Sequence, residues 1–400
     1  MKDRKKRFGL VIYSFMIAMT VLLVSPGSFA EKPGDSNIVL DSDKSEPSGK
    51  TGKTISGRPS DIMKPSTQWF LSYIWGNKDG KSYNKESITR GYLTVKFQPV
   101  SWFEPRVTMD VHQDEKGDFK VRMKYLYGKF VIPVETSWIT EPALEFGLVH
   151  GPWFDYEEHV NRYRAQGTMF IERNGILNSA DLGLTFNALL GRRLPRDYQE
   201  KISSKYPGKW GSISFGVYNG GGYHASEENQ NKVFESRVTL RPLGWIFPNL
   251  SLSHFFIYGK GNTRRKVCDD QGHCIAGEPE WLLNSAMLAV EHEYFVLTGQ
   301  VLFGKGNQKG SQVDANGDAV SSFGYSGFLE VKLPWIMSSL IARYDHFRWD
   351  KEITDRVIGG FAFHFYRHNY VLLNLDWLMH EGSSKPDDWQ AGLVLQVEVP

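Results

Sequence analysis

The chain has 400 residues with 39 glycines, 14% aromatic and 23% charged side chains, and a mean hydropathy of −0.38. Lysine and arginine number 47 against 45 aspartates and glutamates, a balance that gives no support to a nucleic-acid partner. Past the first two dozen positions no apolar run reaches the ~18 residues a membrane helix needs; a chain rich in aromatics and glycine but polar on average suits strands whose alternate residues alone face lipid.

Read from its start, the chain is basic at residues 2–7 and almost entirely apolar at residues 8–24, and Ser28 and Ala30 then supply small side chains at the −3 and −1 positions of a cleavage site. This is the order of a secretory signal peptide over residues 1–30, and it predicts Sec export. Glu31, not a cysteine, follows Ala30, so no lipoprotein anchor is expected. Without the signal the chain keeps 42 basic and 44 acidic residues, a net charge of about −2. Residues 31–66 are Ser, Gly, Lys, Asp and Pro with few large apolar side chains, which predicts a disordered periplasmic leader.

Residues 67–400 change to segments of period two. Phe119, Val121, Met123, Tyr125 and Tyr127 fall on one face, and Lys120, Arg122 and Lys124 on the other. The same alternation sets Leu93, Val95 and Phe97 against Arg90, Thr94 and Lys96, and Val107, Met109 and Val111 against Arg106, Thr108, Asp110 and His112. Near the end it sets Trp389, Ala391, Leu393, Leu395 and Val397 against Gln390, Gly392, Val394, Gln396 and Glu398. A β-sandwich alternates too, so the connections decide. Over the C-terminal half, tight turns near 242–248, 292–294, 334–336 and 367–368 alternate with longer polar loops near 261–280, 305–321, 350–354 and 381–387. That predicts an all-β, up-and-down antiparallel transmembrane β-barrel in the outer membrane of a Gram-negative bacterium, with short periplasmic turns and longer outer loops.

If both termini are periplasmic, residues 168–173 belong to a loop and the strands number about sixteen. They lie near 68–75, 87–98, 105–114, 119–130, 143–149, 176–190, 210–219, 231–242, 249–260, 281–292, 294–304, 322–333, 337–348, 356–366, 369–380 and 388–398. Trp75, Trp102, Trp210, Trp245, Trp281, Trp335 and Trp349 fall at strand ends, where interface girdles put aromatics.

The loop near 150–175 is long and dense in charge, with Asp155, Glu157, Glu158, His159, Arg162, Arg164, Glu172 and Arg173. Folded inward, it would constrict the water-filled lumen that a barrel of this size encloses. Arg90, Lys96, Arg106, Lys120, Arg122 and Lys124 turn to one side of three neighbouring strands as a basic sector, the kind of lining used by anion-preferring pores. Later strands aim Glu235, Glu330, Asp345, Asp376 and Glu398 inward as well, so a lumen of balanced charge is the alternative.

Cys268 and Cys274 are the two cysteines, and in an exported chain they predict a disulfide across a small loop rather than a metal site with Asp269, Asp270 and His273. A metal site at His150, Asp155, Glu157, Glu158 and His159 has no standard ligand spacing. Asp314, Asn316 and Asp318 resemble part of a calcium loop, but a glycine two places early and the lack of a closing Glu favour a hairpin tip. His254, His292, His364 and His380 offer bases for a barrel-wall enzyme, yet no Gly-x-Ser-x-Gly accompanies them, so no enzyme is expected. No Cys-x-x-Cys-His occurs, and no cofactor is expected.

Three runs carry a family likeness: Tyr125-Leu-Tyr-Gly128-Lys129-Phe130, Gly216-Val217-Tyr218-Asn219-Gly220 and Leu340-Ile-Ala-Arg343-Tyr344-Asp345. They resemble stretches of the phosphate-selective porin O/P family. The resemblance implies a sixteen-stranded general or anion-selective porin, commonly a homotrimer surrounded by outer-membrane lipid. The same barrel admits another reading, a sheath holding multihaem c-type cytochromes for electron transfer across the outer membrane. The leader and the connection near 192–209 would then be docking surfaces.

Overall fold

The structure is a computed structural model that describes residues 62–399, except residue 115 and residues 269–273; over 265–276 it describes backbone alone. The expected signal peptide, all but the end of the expected leader, Asp269, Asp270, His273 and the side chains of Cys268 and Cys274 lie outside the described residues.

The strands are β1 (Met63–Lys78), β2 (Lys81–Phe97), β3 (Phe103–Gln113), β4 (Phe119–Val131), β5 (Ile139–His150), β6 (Ala180–Leu190), β7 (Gly211–Tyr218), β8 (Val233–Leu240), β9 (Leu250–Lys260), β10 (Arg265–Cys268), β11 (Cys274–Gly277), β12 (Glu280–Glu291), β13 (Phe295–Lys305), β14 (Ser321–Leu333), β15 (Ser338–Trp349), β16 (Glu352–Tyr366), β17 (Asn369–Glu381) and β18 (Asp388–Val399). Sixteen of them form one closed barrel, each antiparallel to its neighbours, and β1 pairs with β18 from Thr67↔Val399 to Asn77↔Trp389. The remaining two, β10 and β11, make a hairpin in an outer loop whose register sets Cys268 opposite Cys274. Closure leaves no sheet edge, which is what lets strands cross a membrane with their backbone groups satisfied.

Each expected strand is present, with starts that shift by four residues or more at β1, β2, β5, β6 and β16. β1 starts at Met63, inside the expected leader, because residues 63–66 pair with residues 94–97 of β2. β6 starts at Ala180 instead of near 176, because Ile176 and Leu177 are buried with the preceding loop.

The period-two reading of β4 fails at one residue. The pairing with β3 shifts between Thr108 and Met109, so Met123 lies opposite Met109, Tyr125 opposite Thr108, and Lys124 is the extra residue of a bulge. Phe119 and Val121 point outward as expected, but Tyr125 and Tyr127 turn into the lumen and Leu126, 52% exposed, takes the outer face.

The inner face is also not uniformly wet. Phe255 and Ile257 on β9, Trp281, Leu283 and Met287 on β12, Phe328 on β14, Ile341 and Phe347 on β15, and Leu372 on β17 are buried inside the barrel. Trp281 therefore lies within the lumen and Trp349 packs against the same cluster, so neither belongs to a girdle, whereas Trp75, Trp102, Trp245 and Trp335 are exposed as girdle residues are. An apolar inner wall needs a cover, and the chain supplies one from its own outer loop.

The bulge makes a prediction. Leu126→Arg puts a cation on the outer face in the middle of β4 and is expected to cost about 2–4 kcal/mol, measured by denaturant unfolding in lipid vesicles. A cost near zero would return Leu126 to the lumen and remove the bulge.

Candidate functional site: the lumen loop and the basic wall

β5 ends at His150, and the chain then enters the barrel as a short helix α1 (Phe154–Val160), a 3-10 turn (Arg164–Gln166) and a second turn of helix α2 (Phe170–Arg173) before β6 begins. Apolar side chains dictate the inward course. Trp153, Phe154, Tyr156, Val160, Met169, Phe170 and Ile171 are at most 2% exposed and pack on the apolar half of the inner wall. Each large side chain so covered contributes about 1.5–3 kcal/mol. Trp153 stacks on Phe255 with ring centroids 5.2 Å apart, and Phe170 meets Phe347 edge to face at 6.0 Å.

Polar contacts fix the loop in height and rotation. Arg237 of β8 donates from Nε to the Pro152 carbonyl at 2.9 Å, and its guanidinium lies 4.8 Å from the Tyr156 ring centre. The Tyr156 hydroxyl is 2.9 Å from Ser251 Oγ on β9. Tyr163 donates to Glu330 of β14 at 2.6 Å, Gln166 to Asn374 of β17 at 3.0 Å, and Trp349 Nε1 to the Asn174 carbonyl at 3.3 Å. Gly167 takes φ +114°, and a Cβ there would stand 2.9 Å from Arg173 Nη2, so the turn between the two helices needs glycine.

On the other side the loop meets the basic sector. The Tyr92 hydroxyl of β2 accepts from Lys124 Nζ at 3.2 Å and from Arg164 Nη2 of the loop at 3.1 Å. Arg90 stands two residues before Tyr92 on the same inner face. Arg106 lies 4.7 Å from the centre of the Tyr125 ring and donates to Thr108 at 3.1 Å. Lys96 is exposed near the inner end of β2. Arg122 is paired with Asp110 at 2.8 Å, beneath the Tyr223 ring of an outer loop. Lys120 is an exposed pair with Asp114 at the outer end of β4, away from the loop.

The loop's own charges divide. Glu158 pairs with Arg164 at 3.1 Å, facing Tyr92. Asp155 accepts from Tyr206 at 2.5 Å and pairs with Lys205 at 2.7 Å, with His150 Nε2 at 3.7 Å. Arg173 goes to the opposite wall, 3.5 Å from Asp345, which Arg343 also holds at 2.8 Å. Glu157 is buried, beside Arg343 in a small cavity. Arg162 is exposed in a cavity of about 590 Å³ at the inner mouth, which Lys332, Arg367, His368, Glu293 and Glu398 also line.

Expected site residues thus fall into three groups. Arg90, Arg106, Lys124, Glu158 and Arg164 converge; Lys96, Asp155 and Arg162 lie toward the inner mouth; and Lys120, Arg122, Glu157 and Arg173 stand apart from that contact. Tyr92 was legible as an inner-face residue from its alternation with Arg90 and Thr94. Arg237 was legible in the same way from its alternation with Glu235, whereas Lys205 and Tyr206 carried no signal, since both reach the loop from a connection between strands.

Among the described residues no group of three or more His, Cys, Asp or Glu could hold a metal ion. Asp314 Oδ1 accepts from the Asn316 and Asp318 amides at 2.9 and 3.0 Å, the geometry of a hairpin tip. Of the four histidines considered as bases, His364 meets a serine: Ser339 Oγ lies 3.3 Å from its Nε2. That hydroxyl donates to Glu330 at 2.9 Å, and Ser339, 2% exposed, lines the cavity at the inner mouth together with His364 and Glu330.

No family model and no curated protein matches the chain. Solved structures do. OmpF of Salmonella typhi in complex with daunomycin is 10% identical with a TM-score of 0.56, over 84% of this chain and 97% of that one. An anion-selective porin from Comamonas acidovorans is 10% identical with a TM-score of 0.55, over 84% and 98%. In-vitro folded OmpT of Vibrio cholerae, in its trimer form, is 9% identical with a TM-score of 0.52, over 84% and 99%. At such identities the likeness is one of fold, which in this chain is a closed antiparallel barrel of sixteen strands.

Burial pushes the Glu157 carboxyl up to about 8 from 4.5, with Arg343 pulling the other way. The folded protein therefore keeps a proton there that the unfolded chain releases, so this stabilisation is present below the ordinary value and is lost as pH rises through about 8. Melting followed by tryptophan fluorescence is expected to fall between about pH 5 and pH 8 and to level off above that. Glu157→Gln should flatten that fall, and an unchanged slope would clear Glu157 of the effect.

Proposed function

We propose that the chain forms a channel for small hydrophilic solutes in the outer membrane of a Gram-negative bacterium, with a preference for anions. The observation that carries this reading is the meeting of loop and basic wall at Tyr92, where Lys124 and Arg164 share one phenol oxygen. Nearby acids are largely committed: Asp110 to Arg122, Asp114 to Lys120, Glu158 to Arg164 and Asp155 to Lys205. Arg90, Lys96, Arg106 and Lys124 then stand against Glu145 and Glu172, while Arg162 shares its cavity with Glu293, Glu330 and Glu398. A passing anion would exchange water for these donors in a lumen where charges are weakly screened.

The outer faces support a lipid environment, since Leu93, Leu126, Phe146, Phe215, Leu252 and Phe303 are exposed around the barrel. Assembly as a homotrimer, the form of the Vibrio cholerae structure, belongs to the same reading. A sheath for a multihaem c-type cytochrome would need the lumen that residues 150–179 occupy. Nothing in the geometry favours it.

Planar-bilayer recording is expected to show conductance with an anion/cation permeability ratio above one. Neutralising Arg90, Arg106 and Lys124 together with glutamine should lower that ratio by about threefold. Cation selectivity in the unsubstituted protein would sink the anion preference, and no conductance with a co-purifying haem protein would replace the channel by the sheath.

A further inference from the structure

Connections on the face that carries the barrel termini span two to nine residues, except one: residues 191–210, between β6 and β7. Strand geometry asks for nothing so long there. The segment is built. It contains a helix α3 (Arg196–Lys201), and its ends are tied by the Leu194 amide to the Pro207 carbonyl at 2.7 Å and the Lys209 amide to the Arg192 carbonyl at 2.8 Å. Tyr198 donates to the Pro248 carbonyl of the neighbouring turn at 3.2 Å.

Its far end rises into the lumen. Tyr206 adopts φ +48°, a left-handed conformation that a bulky residue holds only when its surroundings impose it. Arg241, 2% exposed, imposes it by donating from Nη1 to the carbonyls of Tyr206 and Gly208, both at 3.0 Å. Arg237, fully buried, lies between two rings, 4.5 Å from the centre of Tyr206 and 4.8 Å from that of Tyr156 in the lumen loop. At the tip, Lys205 and Tyr206 grip the Asp155 carboxylate.

We propose that residues 191–210 are a lock on the lumen loop, and that Lys205 and Tyr206 hold the loop closed by its Asp155. The proposal rests on the channel reading for its consequence, since the lock would set how far the pore opens. The physical argument is the cost of a buried charge. With Lys205 and Tyr206 in place Asp155 has two charge-assisted partners; without them it keeps His150 at 3.7 Å and the field of Lys96 and Arg106 but loses both short contacts, and it regains hydrogen bonds from water, which the loop reaches by leaving the wall. Consistently, Asp155 sits well below the ordinary carboxylate range: burial acts to raise it, and His150, Lys205 and the Tyr206 hydroxyl outweigh that.

The test uses the full chain in two variants that approach the contact from opposite sides, Lys205→Met with Tyr206→Phe, and Asp155→Asn. Two readouts are taken: trypsin cleavage in the loop at Arg162, Arg164 and Arg173, and conductance in planar bilayers. Heat-modifiable gel mobility serves as the control for a folded barrel. The lock predicts that the double variant, folded, is cut in the loop about tenfold faster than the unsubstituted protein, with a larger single-channel conductance. Asn at 155 carries no charge to strand, so it should loosen the loop less than the double variant. A loop that stays as protected in the double variant as in the unsubstituted protein overturns the lock, whatever the conductance. Faster cleavage with no conductance in any form would uphold the lock and defeat the channel reading instead.

Discussion

The ladder between β1 and β18 is the contact on which the rest of the molecule depends. Backbone amides and carbonyls cannot be left unpaired in hydrocarbon, so sixteen strands have to end where they began. Closure creates an inside, and an inside gives meaning to a face that would be solvent in an open sheet. From that follow the two halves of the inner wall: the basic, tyrosine-rich sector of β2–β4, and the apolar sector of β9 and β12–β17.

The apolar sector is what distinguishes this lumen from a plain water-filled tube. Phe255, Trp281, Leu283 and Phe347 face inward where water would otherwise stand, and the lumen loop covers them with Trp153, Phe154, Met169 and Phe170. The loop is therefore held by the hydrophobic effect on one side and by hydrogen bonds and ion pairs on the other. Its contact with the basic wall is polar throughout, with Tyr92 shared by Lys124 and Arg164. An interface of that kind exchanges partners with water at lower cost than the apolar one. The segment 191–210 adds a constraint from the inner mouth, through Asp155.

Much of this was legible in the residues. Strand number, direction and the even count follow from alternation and from the rhythm of short and long connections, because a strand exposes its period in the side chains that meet lipid. The inward loop was legible as an excess of length and charge at 150–175. Convergence was not. Arg173 and Arg164 look equivalent in the sequence, but one helical turn and Gly167 send them to opposite walls. Tyr125 and Tyr127 read as lipid-facing because one extra residue, Lys124, is invisible to a period-two count.

What the sequence by itself determined is the barrel: alternation is a local property, repeated strand by strand, and closure follows from the solvent on either side. What only the tertiary structure decided is the use of the lumen. Whether an inner-facing Trp281 meets water or Phe and Met side chains, and whether Asp155 is a free carboxylate or is gripped by Lys205 and Tyr206, depends on chain segments tens of residues away. Such contacts leave no periodic trace, because what specifies them is the shape and charge of an enclosed space rather than the spacing of residues along one strand.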